Sequence, residues 1–110
     1  MPTKARFNKI DEETARYAKA LSAPAKIAIL RALAERDTCI CGEIVEITPL
    51  AQSTVSQHLK ELKELGLIQG TVDGTKSCYC IDPAGFAKFR ERMRDFFSAI
   101  DSSQKCCRKR

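Results

Sequence analysis

Gly66 divides the chain into two regimes of hydrophobic spacing, and that switch limits the folds open to it. Before it, Val55, Leu59 and Leu62 recur at the three-to-four-residue interval of a helix, and a glycine just past the last repeat is a common way to end one. After it, residues 67–72 and 75–81 flank Asp73-Gly74, a pair suited to the positive φ angles of a tight two-residue turn. A helix from about 52 to 65 running into a hairpin over about 67–81 leaves Ser53, Ser56, Gln57 and Lys60 on the outward side of that helix.

The rest of the chain is cut into short helices. From Asp11 to Leu21 the positions Ala15, Ala18 and Leu21 recur at helical spacing, with Asp11, Glu12 and Glu13 suited to a positive N-terminal end. Ser22, as a cap, and Pro24, in a first turn, restart the chain as a helix to about Glu35, with Ile27, Leu30 and Ala34 as its buried stripe and Ile29 and Leu33 flanking it. A third, short helix is expected near 38–47, closed by Thr48-Pro49. From Pro83 the helical pattern returns, and Phe86, Phe89, Met93, Phe96 and Ile100 make an apolar seam on a charged helix. The seam either completes the monomer core or, with the N-terminal helix, forms a dimer interface; in a chain of 110 residues the second account is preferred.

The pattern is that of a mainly α chain with one small β-hairpin, a winged helix-turn-helix pairing as a homodimer through its terminal helices. The expected organisation is an N-terminal arm (1–10), the winged domain (11–100) and a basic cysteine-containing tail (101–110). Within the domain, the recognition helix spans about 52–65, the wing about 67–81 and the dimerisation helix about 84–100. A recognition helix needs short hydrogen-bonding side chains near its N-terminus, where base edges and phosphates come within reach. Gln52, Ser53, Thr54, Ser56, Gln57 and His58 are of that type, Lys60 adds a phosphate contact, and Lys76 would lie on the wing near the DNA backbone or minor groove. His58, the one histidine, is read as a capping or phosphate-contacting residue in preference to a metal ligand. A two-fold dimer would set two such helices roughly 34–36 Å apart, on successive major grooves of double-stranded operator DNA.

Composition narrows the function. The net charge of +5 and pI near 9.0 permit a polyanionic partner, though much of the excess lies in the tail Lys105, Arg108, Lys109 and Arg110. No apolar stretch reaches membrane-spanning length, and the polar start, without a signal-peptide core, predicts a cytoplasmic protein. In a reducing compartment six cysteines are better read as metal or redox ligands than as structural disulfides. No nucleophile–base pair, phosphate-cradling glycine loop or acidic dyad is visible, so an enzyme is not expected.

Three segments together carry a resemblance: Leu21-Ser22-Ala23-Pro24-Ala25-Lys26-Ile27-Ala28-Ile29-Leu30, then Ser53-Thr54-Val55-Ser56-Gln57-His58-Leu59-Lys60-Glu61-Leu62, then Gly66-Leu67-Ile68. Over roughly residues 11–97 the chain resembles the ArsR/SmtB family of bacterial metal-responsive repressors. The resemblance implies a homodimer that holds its operator when metal-free and releases it when metal binds. Cys39-Ile40-Cys41, ahead of the recognition helix, resembles the thiol motif of the family's arsenic and antimony sensors, which makes Cys39 and Cys41 the implied ligands and trivalent arsenic or antimony the implied inducer. Two departures stand out. Where many such sensors carry a third cysteine this chain has Ile44, and no histidine follows His58, so a zinc site on the C-terminal helix is not expected.

Thiolates are soft donors and favour thiophilic ions over magnesium or calcium. Trivalent arsenic bonds three sulfurs in a pyramid, which leaves a ligand to find. On a regular helix Cys39 and Cys41 would stand about 200° apart, so capture requires either that Cys39 lie at or before the helix start or that the ion unwind the turn, which would shift the recognition helix. Cys106 and Cys107, in the basic tail, are either the source of the third ligand or merely a reactive pair. Cys78 and Cys80, at i and i+2 of a strand, share a face and are easier to bridge, yet beside Tyr79 and Ile81 they also fit plain packing. Two alternatives remain: a redox- or polysulfide-responsive repressor of the same fold, and a thiol-rich metal-buffering protein.

Overall fold

The architecture is that of a computed structural model, which describes residues 7–36, 39–41, 51–73 and 76–102. Helices α1 (Lys9–Ala18) and α2 (Pro24–Ala34) are joined by a 3-10 turn, Lys19–Leu21. Strand β1 (Ile40–Cys41), helix α3 (Gln52–Glu64), strands β2 (Ile68–Asp73) and β3 (Lys76–Ile81), and helix α4 (Pro83–Asp101) follow. The strands form one antiparallel sheet in the order β1-β3-β2. Among the described residues no helix is long and apolar enough to cross a membrane.

Local chemistry explains most boundaries. Asn8 caps α1, its side chain accepting from the Ile10 N–H at 2.7 Å. Asp82 caps α4 by accepting from Gly85 N–H at 3.1 Å, with Pro83 in the first turn. Helix α3 ends in a Schellman closure: Gly66 takes φ 85°, its N–H donates to the Lys63 carbonyl at 2.9 Å, and the Leu67 N–H donates to the Leu62 carbonyl at 3.1 Å. Leu62 and Leu67, which this closure brings together, are both fully buried.

The core gathers Ile29, Leu30, Leu33, Ile40, Val55, Leu59, Leu62, Leu67, Ile68 and Phe89, with Tyr17 and Ala20 from the N-terminal segment. Tyr17 meets Phe89 edge-on at 5.5 Å, and Phe89 meets Phe86 at 5.2 Å, so α1 and α4 lie together. An ion pair from Arg92 to Glu13, 2.9 Å, joins the same two helices.

Several expectations are corrected. The stripe Ala15, Ala18 and Leu21 is exposed, and α1 instead buries Tyr17, because a ring able to meet Phe89 edge-on outweighs alanines in the competition for the core. On α2, Ile27 and Ala34 are exposed and the buried face is Lys26, Ile29, Leu30 and Leu33; the rotation follows from burying the Lys26 stem while its ammonium reaches polar partners. Ser22 does not cap α2. Its hydroxyl donates to the Lys19 carbonyl at 2.7 Å and closes the 3-10 turn, while Ala23 occupies the cap position with no side-chain hydrogen bond. The short helix expected at 38–47 does not begin as one, since Ile40 and Cys41 form a strand anchored by an Ile40 side chain that is 2% exposed; residues 42–47 lie outside the described set. The hairpin pairs as far as Asp73↔Lys76, so positions 74–75, not Asp73-Gly74, intervene between the strands. The seam of α4 splits: Phe89 is buried and Phe86 and Met93 pack on the core, whereas Phe96 and Ile100 are exposed, as is Phe97.

Leu62→Ala is expected to cost about 2–5 kcal/mol of unfolding free energy, as for other fully buried leucines. Gly66→Ala is expected to cost about 1 kcal/mol through its positive φ. Urea denaturation followed by circular dichroism measures both.

Candidate nucleic-acid interface and thiol pair

Helix α3 divides its sides cleanly. Val55, Leu59 and Leu62 are 1%, 3% and 0% exposed, while Ser53, Thr54, Ser56, Gln57 and Lys60 are exposed. The outward set contains Ser53, Ser56, Gln57 and Lys60, the four expected from the sequence, with Thr54 exposed beside them. No side chain caps the helix start, since Ala51 carries no side-chain oxygen; its carbonyl accepts from the Thr54 and Val55 N–H groups at 3.0 and 3.1 Å. Gln52 and Lys76 lie at the start of α3 and of β3; their side chains are outside the described set.

His58 turns partly inward. Its side chain is 19% exposed, and Nδ1 lies 4.0 Å from Glu61 Oε1, buried without a hydrogen-bond partner among the described residues. The ring is placed against its own helix more than toward solvent.

One ion pair that the sequence did not announce holds α3 in place. Lys26 Nζ, on a side chain 6% exposed, lies 2.7 Å from Glu61 Oε1 and donates to the Lys19 carbonyl at 3.1 Å. It therefore joins α2, the 3-10 turn and α3. The Lys26 ammonium holds the Glu61 carboxyl below the usual carboxylate range, against an opposing effect of partial desolvation, and Gln57 adds a further hydrogen bond. In the sequence the signal of this ion pair is a lysine among the apolar residues of α2. A second tether runs from the end of α3, where Lys63 Nζ donates to the Gly70 carbonyl on β2 at 3.0 Å.

The cysteines meet across the sheet. Ile40 pairs with Tyr79 and Cys41 with Cys78, which sets Cys39 opposite Cys80. Cys39 and Cys80 are joined as a disulfide with their Cα atoms 4.5 Å apart, and Cys78 is disulfide-bonded as well. The two Cys-x-Cys segments thus lie side by side, an arrangement expected neither of a helical Cys39–Cys41 nor of Cys78 and Cys80 as packing residues. Cys106 and Cys107 lie outside the described residues. Among the described residues no group of three or more His, Cys, Asp or Glu side chains is arranged to hold a metal ion; the side chain of Cys41 is not among those described.

Residues 23–69 match the family model described as bacterial regulatory protein, arsR family. The HTH-type transcriptional regulator CmtR of Mycobacterium tuberculosis is 30% identical over 96 residues, spanning 87% of this chain and 80% of that protein. Among solved structures, an ArsR family transcriptional regulator aligns with a TM-score of 0.70 at 19% identity, covering 92% of this chain and 99% of the other. A homodimeric winged helix-turn-helix DNA-binding domain from Mycobacterium bovis aligns with a TM-score of 0.59 at 21% identity, covering 94% of this chain and 99% of the other.

Because the carboxyl of Glu61 is more acidic in the folded chain than in the unfolded one, its ion pair stabilises the fold above the ordinary carboxylate pKa, and that contribution is lost as pH falls through the lowered value. Glu61→Gln should therefore lower the melting temperature at neutral pH, with the gap to the unaltered protein closing in acid. A gap independent of pH would contradict the assignment.

Proposed function

The chain belongs to the arsR family of bacterial regulatory proteins, a DNA-binding transcriptional regulator and not an enzyme, and from that premise we propose that it is a repressor controlled through thiols. It binds operator DNA as a homodimer through the outward face of α3 and the wing. It releases that DNA when trivalent arsenic or antimony is captured by a site that includes Cys39 and Cys41. The single observation that carries this reading is the lateral pairing of β1 with β3. It joins the segment leading into α3 to the wing strand, so a change of bonding at its sulfurs acts on both DNA-contacting elements at once.

Support for the parts is physical. The exposed side chains Ser53, Thr54, Ser56 and Gln57 carry the donors and acceptors that read base edges, and Lys60 offers a charge to phosphate. The exposed apolar residues Phe96, Phe97 and Ile100 near the end of α4, with Phe7 and Ile10 at the start of α1, supply a surface for a second copy on the terminal helices. Thiols in the cytoplasm, the expected compartment, are reduced and available to a soft cation.

The Cys39–Cys80 bond itself favours a second reading, in which oxidation is the signal. Hydrogen peroxide would take two protons and two electrons from the thiol pair, leaving the disulfide and two molecules of water.

Fluorescence anisotropy of promoter DNA with the reduced protein separates these readings. Arsenite is expected to release the DNA, and Cys39→Ser or Cys41→Ser to abolish that response while leaving metal-free binding intact. Release by peroxide in the absence of metal would favour the redox reading, and failure to bind DNA saturably at low salt would sink the repressor assignment. Lys60→Ala is expected to weaken binding across sequences and reduce the slope of log affinity against log salt by about 1.

A further inference from the structure

We infer that the wing completes the thiol site: Cys39, Cys41, Cys78 and Cys80 form a single cross-strand four-sulfur site for a soft cation. The inference rests on the thiol-sensing reading above and supplies its missing ligands. Antiparallel register puts Cys41 opposite Cys78 and Ile40 opposite Tyr79, and one step beyond that pair puts Cys39 opposite Cys80. Positions two apart on a strand share a face, so the four cysteine positions occupy one face of the β1–β3 ribbon. The Cα separation of 4.5 Å at Cys39 and Cys80 is that of the closer, non-hydrogen-bonded pairs of an antiparallel ladder, and with one intervening pair, Ile40 and Tyr79, the alternation returns to that class at Cys41 and Cys78. The sulfurs of Cys39 and Cys80 are already within bonding reach. Cys78 and Cys80 are only partly buried, which leaves an approach from solvent.

The chemistry balances without the tail. A dithiol reductant delivers two electrons and two protons to each disulfide and returns the paired thiols. Three of these thiols condense with arsenous acid, forming three As–S bonds and releasing three waters. All four bind one closed-shell divalent ion of the cadmium kind in tetrahedral geometry, releasing four protons. Either ion replaces a pairwise link between β1 and β3 with one that draws at least three sulfurs to a single centre.

Cadmium serves as the probe, and the full-length reduced protein as the sample. After one equivalent of cadmium under anaerobic conditions, brief alkylation and peptide mass spectrometry should show Cys39, Cys41, Cys78 and Cys80 protected and Cys106 and Cys107 modified. Protection of Cys39 and Cys41 with the tail pair, while Cys78 and Cys80 are alkylated, would overturn the inference. The double variant Cys78→Ser, Cys80→Ser should bind cadmium roughly a hundredfold or more weaker, as expected when a four-ligand site loses donors. Its metal-free DNA binding reports that it has folded, and the alkylation map of the unaltered protein decides the matter if it has not. Arsenite-driven release of DNA separates the two claims. If release persists in the double variant, the wing plays no part and the sensor reading stands. If all four cysteines are protected but arsenite leaves DNA bound, the site stands and the sensor reading fails.

Discussion

The turn at Gly66 is the constraint on which the rest of the molecule depends. Its positive φ lets the Leu62 and Lys63 carbonyls be satisfied by the Leu67 and Gly66 amides, so α3 stops at Glu64 and β2 starts at Ile68 with almost no connecting loop. The Asp82 N–H then donates to the Leu67 carbonyl at 3.0 Å, bringing the end of β3 back to the same point. Helix α4 begins there, and its Gly85 lies so close that a side-chain carbon at that position would overlap the Gly66 carbonyl. Helix, wing and C-terminal helix thus diverge from one crowded corner, and the orientation of the wing relative to α3 follows from its geometry.

Elements whose signals are chemical punctuation were legible in the sequence. The bounds of α3, its buried triad Val55, Leu59 and Leu62, and its polar outward face follow from side-chain period and one glycine. The start of α4 follows from a proline. The faces of α1 and α2 were not legible, because the deciding residues, Tyr17 and Lys26, are amphipathic and α2 is rich in alanine, which weakens its periodic signal. Lys26 is the instructive case. A charge on the buried side of a helix contradicts the simplest pattern rule, and only the position of Glu61, on a different helix, makes it sensible.

The cysteines show a different limit. Spacing alone marks two separate Cys-x-Cys pairs, one suited to ligands near a helix and one, on a strand, suited to bridging or to plain packing. What spacing could not supply was the long-range pairing of β1 with β3, which makes the two motifs neighbours across some forty residues of chain; the Cys39–Cys80 bond has a sequence separation of 41. A signal was nevertheless present. Two identical motifs whose central residues, Ile40 and Tyr79, favour extended backbone are natural partners in a ladder.

Strand β1 is only two residues long, too short for its own ladder to fix where it sits on β3. A slip of one residue would exchange its two faces, carrying Ile40 out of the core and setting each cysteine against a non-cysteine neighbour. Sulfur chemistry and the burial of one isoleucine therefore act as a two-point ruler for this edge of the sheet. Insertions or deletions in the stretch between the motifs are tolerable only where the ruler can still be read, and a lone cysteine lost from either strand changes the alignment error the chain can accept.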